Sequence, residues 1–114
     1  MDKIIAPESI VRTTLDQTED LPLTGIYIIA YMGRIVYVGK AMYSVARRIT
    51  QHYNNGLNEC LGEWLHKVQL DWCNVRLDVL EPPNTVEARY WLRQAEAALI
   101  REFRPLFNNL MNHA

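Results

Sequence analysis

Two short segments rich in isoleucine, valine and tyrosine stand on either side of a glycine-containing turn, and this pair constrains the fold more than any other feature. Gly25–Tyr31 and residues 35–38 both have the composition typical of β-strands. Gly33, between them, can adopt a positive φ without strain because it has no Cβ atom. The sequence therefore predicts a β-hairpin.

The register of this hairpin depends on the length of its loop. A three-residue loop, residues 31–33, with Gly33 in the left-handed position pairs Tyr27 directly with Tyr37. Both tyrosines then lie on the same face of the sheet as cross-strand neighbours. A two-residue loop would shift the register by one residue and move one tyrosine to the opposite face. We predict the three-residue loop.

Hydrophobic periodicity after the hairpin predicts two helices and a third strand. Ser44 can cap a helix that runs to about Asn54. A second amphipathic helix covers residues 58–69, and the alternation of residues 75–79 is typical of a strand. The positions expected to be buried are Val45, Ile49 and Tyr53 in the first helix and Leu57, Leu61, Trp64, Leu65 and Val68 in the second.

A long helix is predicted in the last third of the chain. Asn84 can cap its start, Glu87 completes a capping-box pattern three residues later, and Pro105 ends it. Its apolar stripe consists of Ala88, Trp91, Leu92, Ala95, Leu99 and Phe103.

These elements predict an α+β fold with a small three-stranded sheet, antiparallel or mixed, flanked by helices. One domain over residues 24–109 is long enough to bury a core. Residues 1–23 are expected to be an N-terminal extension in which residues 7–12 could form a short helix. Residues 107–109 would follow the long helix as a tail at the end of the domain, and residues 110–114 are expected to be a C-terminal tail.

The composition, 49% hydrophobic and 22% charged, is typical of a soluble globular protein. No apolar run is long enough to span a membrane, and the N-terminus lacks a secretion-signal pattern. Cys60 and Cys73 do not have the spacing of metal ligands. We expect them to be buried or partly buried thiols in a cytoplasmic protein, with a disulfide as the alternative.

The charges are unevenly distributed, although the net charge is only −1. Residues 21–58 contain no Asp or Glu and carry +4, so the rest of the chain carries −5. The four cations of this segment are Arg34, Lys40, Arg47 and Arg48. A segregated basic segment predicts a face that binds phosphate, with salt-dependent affinity. A chance gap in acidic residues is the alternative.

Glu96 lies at the edge of the apolar stripe of the long helix, flanked by Leu92 and Ile100. Burying a carboxylate there is costly unless it is paired or bound to a metal. Two readings remain open: a boundary glutamate bonded to an arginine, or a ligand of Mg²⁺, which often takes only one or two protein carboxylates.

Several other residues could have either a structural role or a role in the chemistry of a site. Tyr27 and Tyr37 could be an ordinary aromatic pair of the core, since an unperturbed phenol is a poor base at neutral pH. On the predicted helix, Arg48 and His52 share one flank because they are four residues apart. Arg47 projects nearly opposite, towards solvent. Taken singly, these cations could be a solvated face and the histidine a bonded boundary residue.

Taken in order, these segments resemble the GIY-YIG nuclease superfamily, and the likeness covers about residues 24–109. The motif style is closest to the N-terminal incision domain of bacterial nucleotide excision repair. The segments that carry the resemblance are Gly25-Ile26-Tyr27, Tyr37-Val38-Gly39 with the following Lys40, residues 44–52, and residues 96–108.

The resemblance implies an endonuclease that hydrolyses DNA phosphodiester bonds with one Mg²⁺ or Mn²⁺ ion. Tyr27 would be the general base or a relay to it, and Tyr37 would orient the water or the phosphate. Lys40 and Arg48 would offset charge on the phosphoryl oxygens, and Glu96 would hold the metal.

The resemblance also assigns supporting roles. His52 would support Tyr27 or the phosphate, and Asn108 would brace the site together with Gly39 and Arg47. The expected partner is DNA, including branched or nicked DNA of repair or recombination, with a protein partner as one source of specificity. The rival hypotheses are a non-catalytic module that binds nucleic acid or protein, and a structural α+β protein.

Overall fold

The computed structural model describes residues 4–55 and 58–111 and contains a four-stranded antiparallel sheet with helices on both faces. The strands are β1 (Ile10–Thr14), β2 (Gly25–Tyr31), β3 (Arg34–Ala41) and β4 (Val75–Leu80), in the spatial order β1-β4-β2-β3. The helices are α1 (Val45–Asn55), α2 (Glu59–Lys67), α3 (Ala88–Phe103) and α4 (Leu106–Met111), with a 3₁₀ segment at Gln69–Asn74. The predicted α+β class is confirmed.

Strand β2 is buried on both faces of the sheet because each face is covered by helices. Tyr27 and Ile29 point into a cluster that includes residues of α1 and α2. Ile26 and Ile28, which alternate with them, pack in a second cluster with α3. Strand β3 lies at the edge of the sheet, so helices from the two faces can approach each other beyond it.

The N-terminal segment contributes a strand that the sequence did not predict. Ile10–Thr14 pairs with β4, antiparallel, with Ile10 opposite Leu80. The predicted short helix within residues 7–12 is therefore wrong, and the sheet has four strands instead of three.

The hairpin turn contains two residues, so the predicted three-residue loop is wrong. Met32 and Gly33 both have positive φ, 52° and 77°, and Tyr31 pairs with Arg34. Two successive left-handed residues match the twist of a two-residue hairpin. Met32 occupies such a position despite its side chain, which is 86% exposed.

A bulge in β3 nevertheless keeps both tyrosines on one face of the sheet. The pairing register shifts so that Val36 is the extra residue and Tyr37 lies opposite Ile29. Gly39, not Tyr37, is the partner of Tyr27. The two tyrosines are therefore diagonal neighbours, and the predicted direct pair is wrong although the predicted shared face is present.

The predicted start of the long helix is also wrong. Helix α3 is capped by Glu87, whose carboxylate accepts hydrogen bonds from the backbone N–H groups of Arg89 (2.9 Å) and Tyr90 (3.0 Å). Asn84 lies in the preceding turn. Phe103 is 42% exposed and ends the helix outside the core, contrary to the predicted stripe.

The chain continues as a short helix, α4, where a tail was predicted. Arg104 adopts a left-handed conformation with φ 46°, which ends α3 just before Pro105. Residues 107–109 then lie within α4. Residues 112–114 of the predicted tail lie outside the described residues.

The first two predicted helices are present. The Ser44 hydroxyl accepts a hydrogen bond from the backbone N–H of Arg47 at 3.0 Å, which confirms the predicted cap of α1. The second helix is capped by Asn58, whereas Leu57 lies outside the described residues. Among the described residues, no helix is long and apolar enough to cross a membrane.

The two cysteines differ from the prediction. Cys60 and Cys73 are both free and both exposed, so neither is a buried thiol and they do not form the alternative disulfide.

Candidate active site

A cavity of about 570 Å³ opens at the β3 edge of the sheet. Strands β2 and β3, the loop before α1, and the facing sides of α1 and α3 supply its lining. Its basic side chains are Lys40, Arg47, Arg48, Arg89 and Arg93. Among the described residues that line it, Glu96 is the one carboxylate. The excess of positive charge favours an anionic ligand.

A buried tyrosine that lines the cavity bonds a buried histidine that lies behind it. Tyr27 is fully buried, His52 is 2% exposed, and Tyr27 Oη lies 2.9 Å from His52 Nε2. The other ring nitrogen, Nδ1, is buried and has no hydrogen-bond partner among the described residues. Sequence periodicity placed His52 on the flank of α1, whereas the structure buries it behind Tyr27.

Both groups are neutral at physiological pH. Burial, with the neighbouring phenol of Tyr37, raises the pKa of Tyr27 well above its ordinary value, although the positive charge of Arg48 opposes the shift. Burial and then the charge of Arg48 lower the pKa of His52 to about 4. The phenol therefore keeps its proton, and the imidazole does not gain one.

The buried imidazole should make the fold less stable in acid. Below its ordinary pKa of 6.5, His52 takes up a proton in the unfolded chain, but in the folded chain it does so only near pH 4. Stability is therefore expected to fall by about 2 kcal/mol between pH 7 and pH 5 on account of this residue. Urea unfolding at the two pH values measures this change in the free energy of unfolding.

The pH dependence of wild-type stability is compared with that of the variants His52→Gln and His66→Gln. The first variant should lose this part of the pH dependence, since glutamine does not titrate, whereas the second removes an exposed histidine and should keep it. Equal pH dependence in wild type and His52→Gln would contradict the burial of a neutral imidazole.

Tyr37 lies beside this pair at the edge strand. Its ring centroid is 6.0 Å from that of Tyr27 and 5.1 Å from that of His52. Burial and the negative charge of Glu96 raise the pKa of its phenol. Glu96 lines the same cavity from α3, and its charge acts on both tyrosines.

Gly39 and Asn108 hold the edge strand in place around the tyrosines. A Cβ atom at Gly39 would lie 2.4 Å from Cζ of Tyr27, so only glycine leaves room for that phenol. The Asn108 side chain accepts from the backbone N–H of Val38 and donates to its carbonyl, both at 2.8 Å. It thereby satisfies the outer backbone groups of an edge strand.

Glu96 forms an ion pair with Lys40. Lys40 Nζ lies 2.9 Å from Oε1, and the two side chains are 47% and 22% exposed. The partner is thus a lysine, whereas the structural reading of the sequence named an arginine. The pair lies at the cavity wall, where a ligand or an ion can compete for either member.

Both arginines of α1 line the cavity, which differs from the predicted projection of Arg47 away from it. The charge of Arg48 acts on Tyr27, Tyr37 and His52, which favours Arg48 as the arginine nearest the tyrosines. Arg47 and Arg48 are both exposed, so either can contact a bound anion.

Among the aromatic and charged residues that line the cavity, the sequence analysis missed three: Tyr43, Arg89 and Arg93. The spacing of Arg89, Arg93 and Glu96 places them on one side of a helix, because residues three and four apart are neighbours. That spacing is a sequence signal that groups the two arginines with Glu96.

The site offers few protein ligands to a metal. Within residues 4–55 and 58–111, no group of three or more His, Cys, Asp or Glu side chains could hold an ion. This excludes a closed zinc-type site within that part of the chain. The donor chemistry of one carboxylate at an open cavity does fit Mg²⁺ or Mn²⁺, which retain several waters.

Comparisons with protein-family models, with curated proteins and with solved structures found no match to this chain. The likeness to the GIY-YIG superfamily therefore stays a prediction that rests on the motifs.

Proposed function

We propose that the protein is a metal-dependent endonuclease that hydrolyses DNA phosphodiester bonds. The observation that carries the proposal is the convergence of Tyr27, Tyr37, Arg48 and Glu96 on one basic cavity, from two strands and two helices. These residues are far apart in sequence and of the types that phosphoryl chemistry needs. A purely structural protein would not require the excess of positive charge around a single carboxylate.

The cations of the cavity would bind the scissile phosphate. Lys40 and Arg48 present donors to its non-bridging oxygens and stabilise the charge that builds up there. A divalent ion bound at Glu96 would supply further charge stabilisation at the phosphate. Lys40 would then exchange the carboxylate for a phosphate oxygen, keeping a charged partner throughout.

The tyrosines and the histidine would orient the attacking water and accept its proton. Because the phenol of Tyr27 is protonated at neutral pH, it cannot act as a free phenolate. Its hydrogen bond to His52 instead suits a relay, in which Tyr27 gives its proton to Nε2 as it accepts one from the attacking water. Tyr37, which lines the same cavity, would orient that water.

A second candidate is a non-catalytic module that binds nucleic acid with the same cavity. Two observations favour it: Glu96 is already neutralised by Lys40, and neither Tyr27 nor His52 is a strong base in the site as it stands. Such a module would bind phosphate without cleaving it.

Incubation of the purified chain with supercoiled plasmid and with branched DNA distinguishes the nuclease from the non-catalytic module. We expect nicking with Mg²⁺ or Mn²⁺ and none with EDTA, with binding that weakens as salt increases. Salt-sensitive binding without cleavage in any divalent ion would support the module and contradict the nuclease. Neither binding nor cleavage would contradict both.

A further inference from the structure

An aromatic side chain stands exposed at the mouth of the cavity. Tyr43 lies in the loop between β3 and α1, lines the cavity, and is 72% exposed. It lies outside both hydrophobic clusters, so packing does not explain a ring at this position. It also lies outside the set of residues assigned to the chemistry.

An arginine on α3 holds this ring in place. Arg89 Nη2 donates to Tyr43 Oη at 2.5 Å, and its guanidinium carbon lies 5.9 Å from the ring centroid. Arg93 lies one turn further along α3 and also lines the cavity. The ring and the two guanidinium groups thus extend the basic wall beyond the Lys40–Glu96 pair.

This combination matches the chemistry of a nucleotide. A base can stack on an exposed aromatic ring, and its phosphate can accept from the arginines beside it. Bases within a duplex are already stacked on each other, so the face of a base is free for the ring only where the nucleotide is unpaired.

We propose that Tyr43, Arg89 and Arg93 form a binding subsite for an unpaired nucleotide that flanks the scissile phosphate. The base stacks on Tyr43, and the arginines bind the adjacent phosphate. The proposal rests on the proposed action on DNA, and it makes the preferred substrate a junction of duplex and single strand instead of an uninterrupted duplex.

Equilibrium binding in EDTA tests the subsite without depending on cleavage. Fluorescence anisotropy would compare a blunt duplex with the same duplex carrying a short single-stranded overhang. Wild type should bind the overhang substrate more tightly, and Tyr43→Ala should weaken that binding by about ten-fold, within the range for loss of one base–aromatic stack. Binding of the blunt duplex should change much less.

Matched variants distinguish the contribution of stacking from that of positive charge, and both from the effect of removing an exposed side chain elsewhere on the protein. Tyr43→Phe keeps the ring and should retain the preference for the overhang. Arg89→Ala should weaken binding, whereas Arg101→Ala, which removes the same charge from the same helix beside a different groove, should not. Tyr90→Ala is the control for loss of an exposed tyrosine.

The outcomes distinguish the subsite from the nuclease proposal. A Tyr43-dependent preference for the overhang supports the subsite even if no divalent ion produces cleavage. Cleavage by a protein that binds both substrates equally, or whose preference survives Tyr43→Ala, overturns the subsite and leaves the nuclease proposal standing. Absence of binding to either substrate overturns the subsite.

Discussion

Glu96→Ala is expected to lower the single-turnover rate of plasmid nicking in Mg²⁺ by ~10²–10³-fold, the scale for removing one preorganised electrostatic group from an active site. The reason is that Glu96 is the single carboxylate among the described residues lining the cavity, so no other described side chain there offers a hard divalent cation a negatively charged ligand. The rate is measured with enzyme in excess over plasmid, so that product release does not limit it.

The same variant should bind DNA at least as tightly as wild type in EDTA. Removing the carboxylate leaves the Lys40 ammonium free for a phosphate and makes the cavity more positive. Glu102→Ala, which removes an exposed carboxylate from the same helix, is the matched control and should cleave normally. Near-wild-type nicking by Glu96→Ala would exclude the metal-ligand role. A loss of DNA affinity equal to the loss of rate would show that Glu96 acts by positioning Lys40 for binding.

Elements with strong local signals were predicted correctly from the sequence. The prediction failed for elements whose structure depends on pairing with a distant segment of the chain. Helix α1 has a capping serine and a regular apolar spacing, and both were readable. Strand β1 is only five residues long, and its partner β4 begins at Val75. Four of its five residues are β-branched, which is a local strand signal that the predicted short helix left out. Its position beside β4 comes from pairing across that separation.

The predicted hairpin contains two errors, the length of the loop and the missing bulge, and their effects on the sheet face of Tyr37 cancel. A two-residue turn shifts the pairing by one residue, and the bulge at Val36 shifts it by one more in the same direction. The total shift of two residues returns Tyr37 to the predicted face but makes Gly39 the partner of Tyr27. The shared face of Tyr27 and Tyr37 was therefore predicted from an incorrect loop. The sequence does not signal the bulge, because Val36 is as good a strand residue as its neighbours.

Site residues with a motif or a helical projection were found, but Arg89 and Arg93 were missed although they lie on a predicted helix. Packing decides two features that the sequence did not predict, the burial of His52 and the position of Tyr43. Helical projection treats His52 as a polar flank residue, yet the Tyr27 phenol gives it a partner that permits burial. Tyr43 lies in a loop that has no periodicity to read. Its contact with Arg89 joins residues 46 positions apart and becomes visible only once α3 packs beside the β3 edge.

Tyr27→Phe should lower the nicking rate by ~10²–10³-fold, comparable to the loss from Glu96→Ala. The variant removes the hydroxyl that bonds His52 Nε2, so the relay from water through Tyr27 to His52 is lost. It retains the ring, its packing in the core and the space left by Gly39. The loss of rate would therefore report the hydroxyl and not the shape of the site.

A second effect of this substitution must be separated from the first. Without the phenol, His52 Nε2 joins Nδ1 as a buried nitrogen with no partner among the described residues, which should cost about 1–3 kcal/mol of unfolding free energy. Urea unfolding measures that cost and shows whether the variant is folded under assay conditions. Tyr31→Phe is the matched control on the same strand, since its hydroxyl bonds Asp71 away from the cavity. It should lose some stability and no activity. If folded Tyr27→Phe nicks plasmid at the rate of Tyr31→Phe, water is activated without the Tyr27–His52 pair, and the proton must leave by another route.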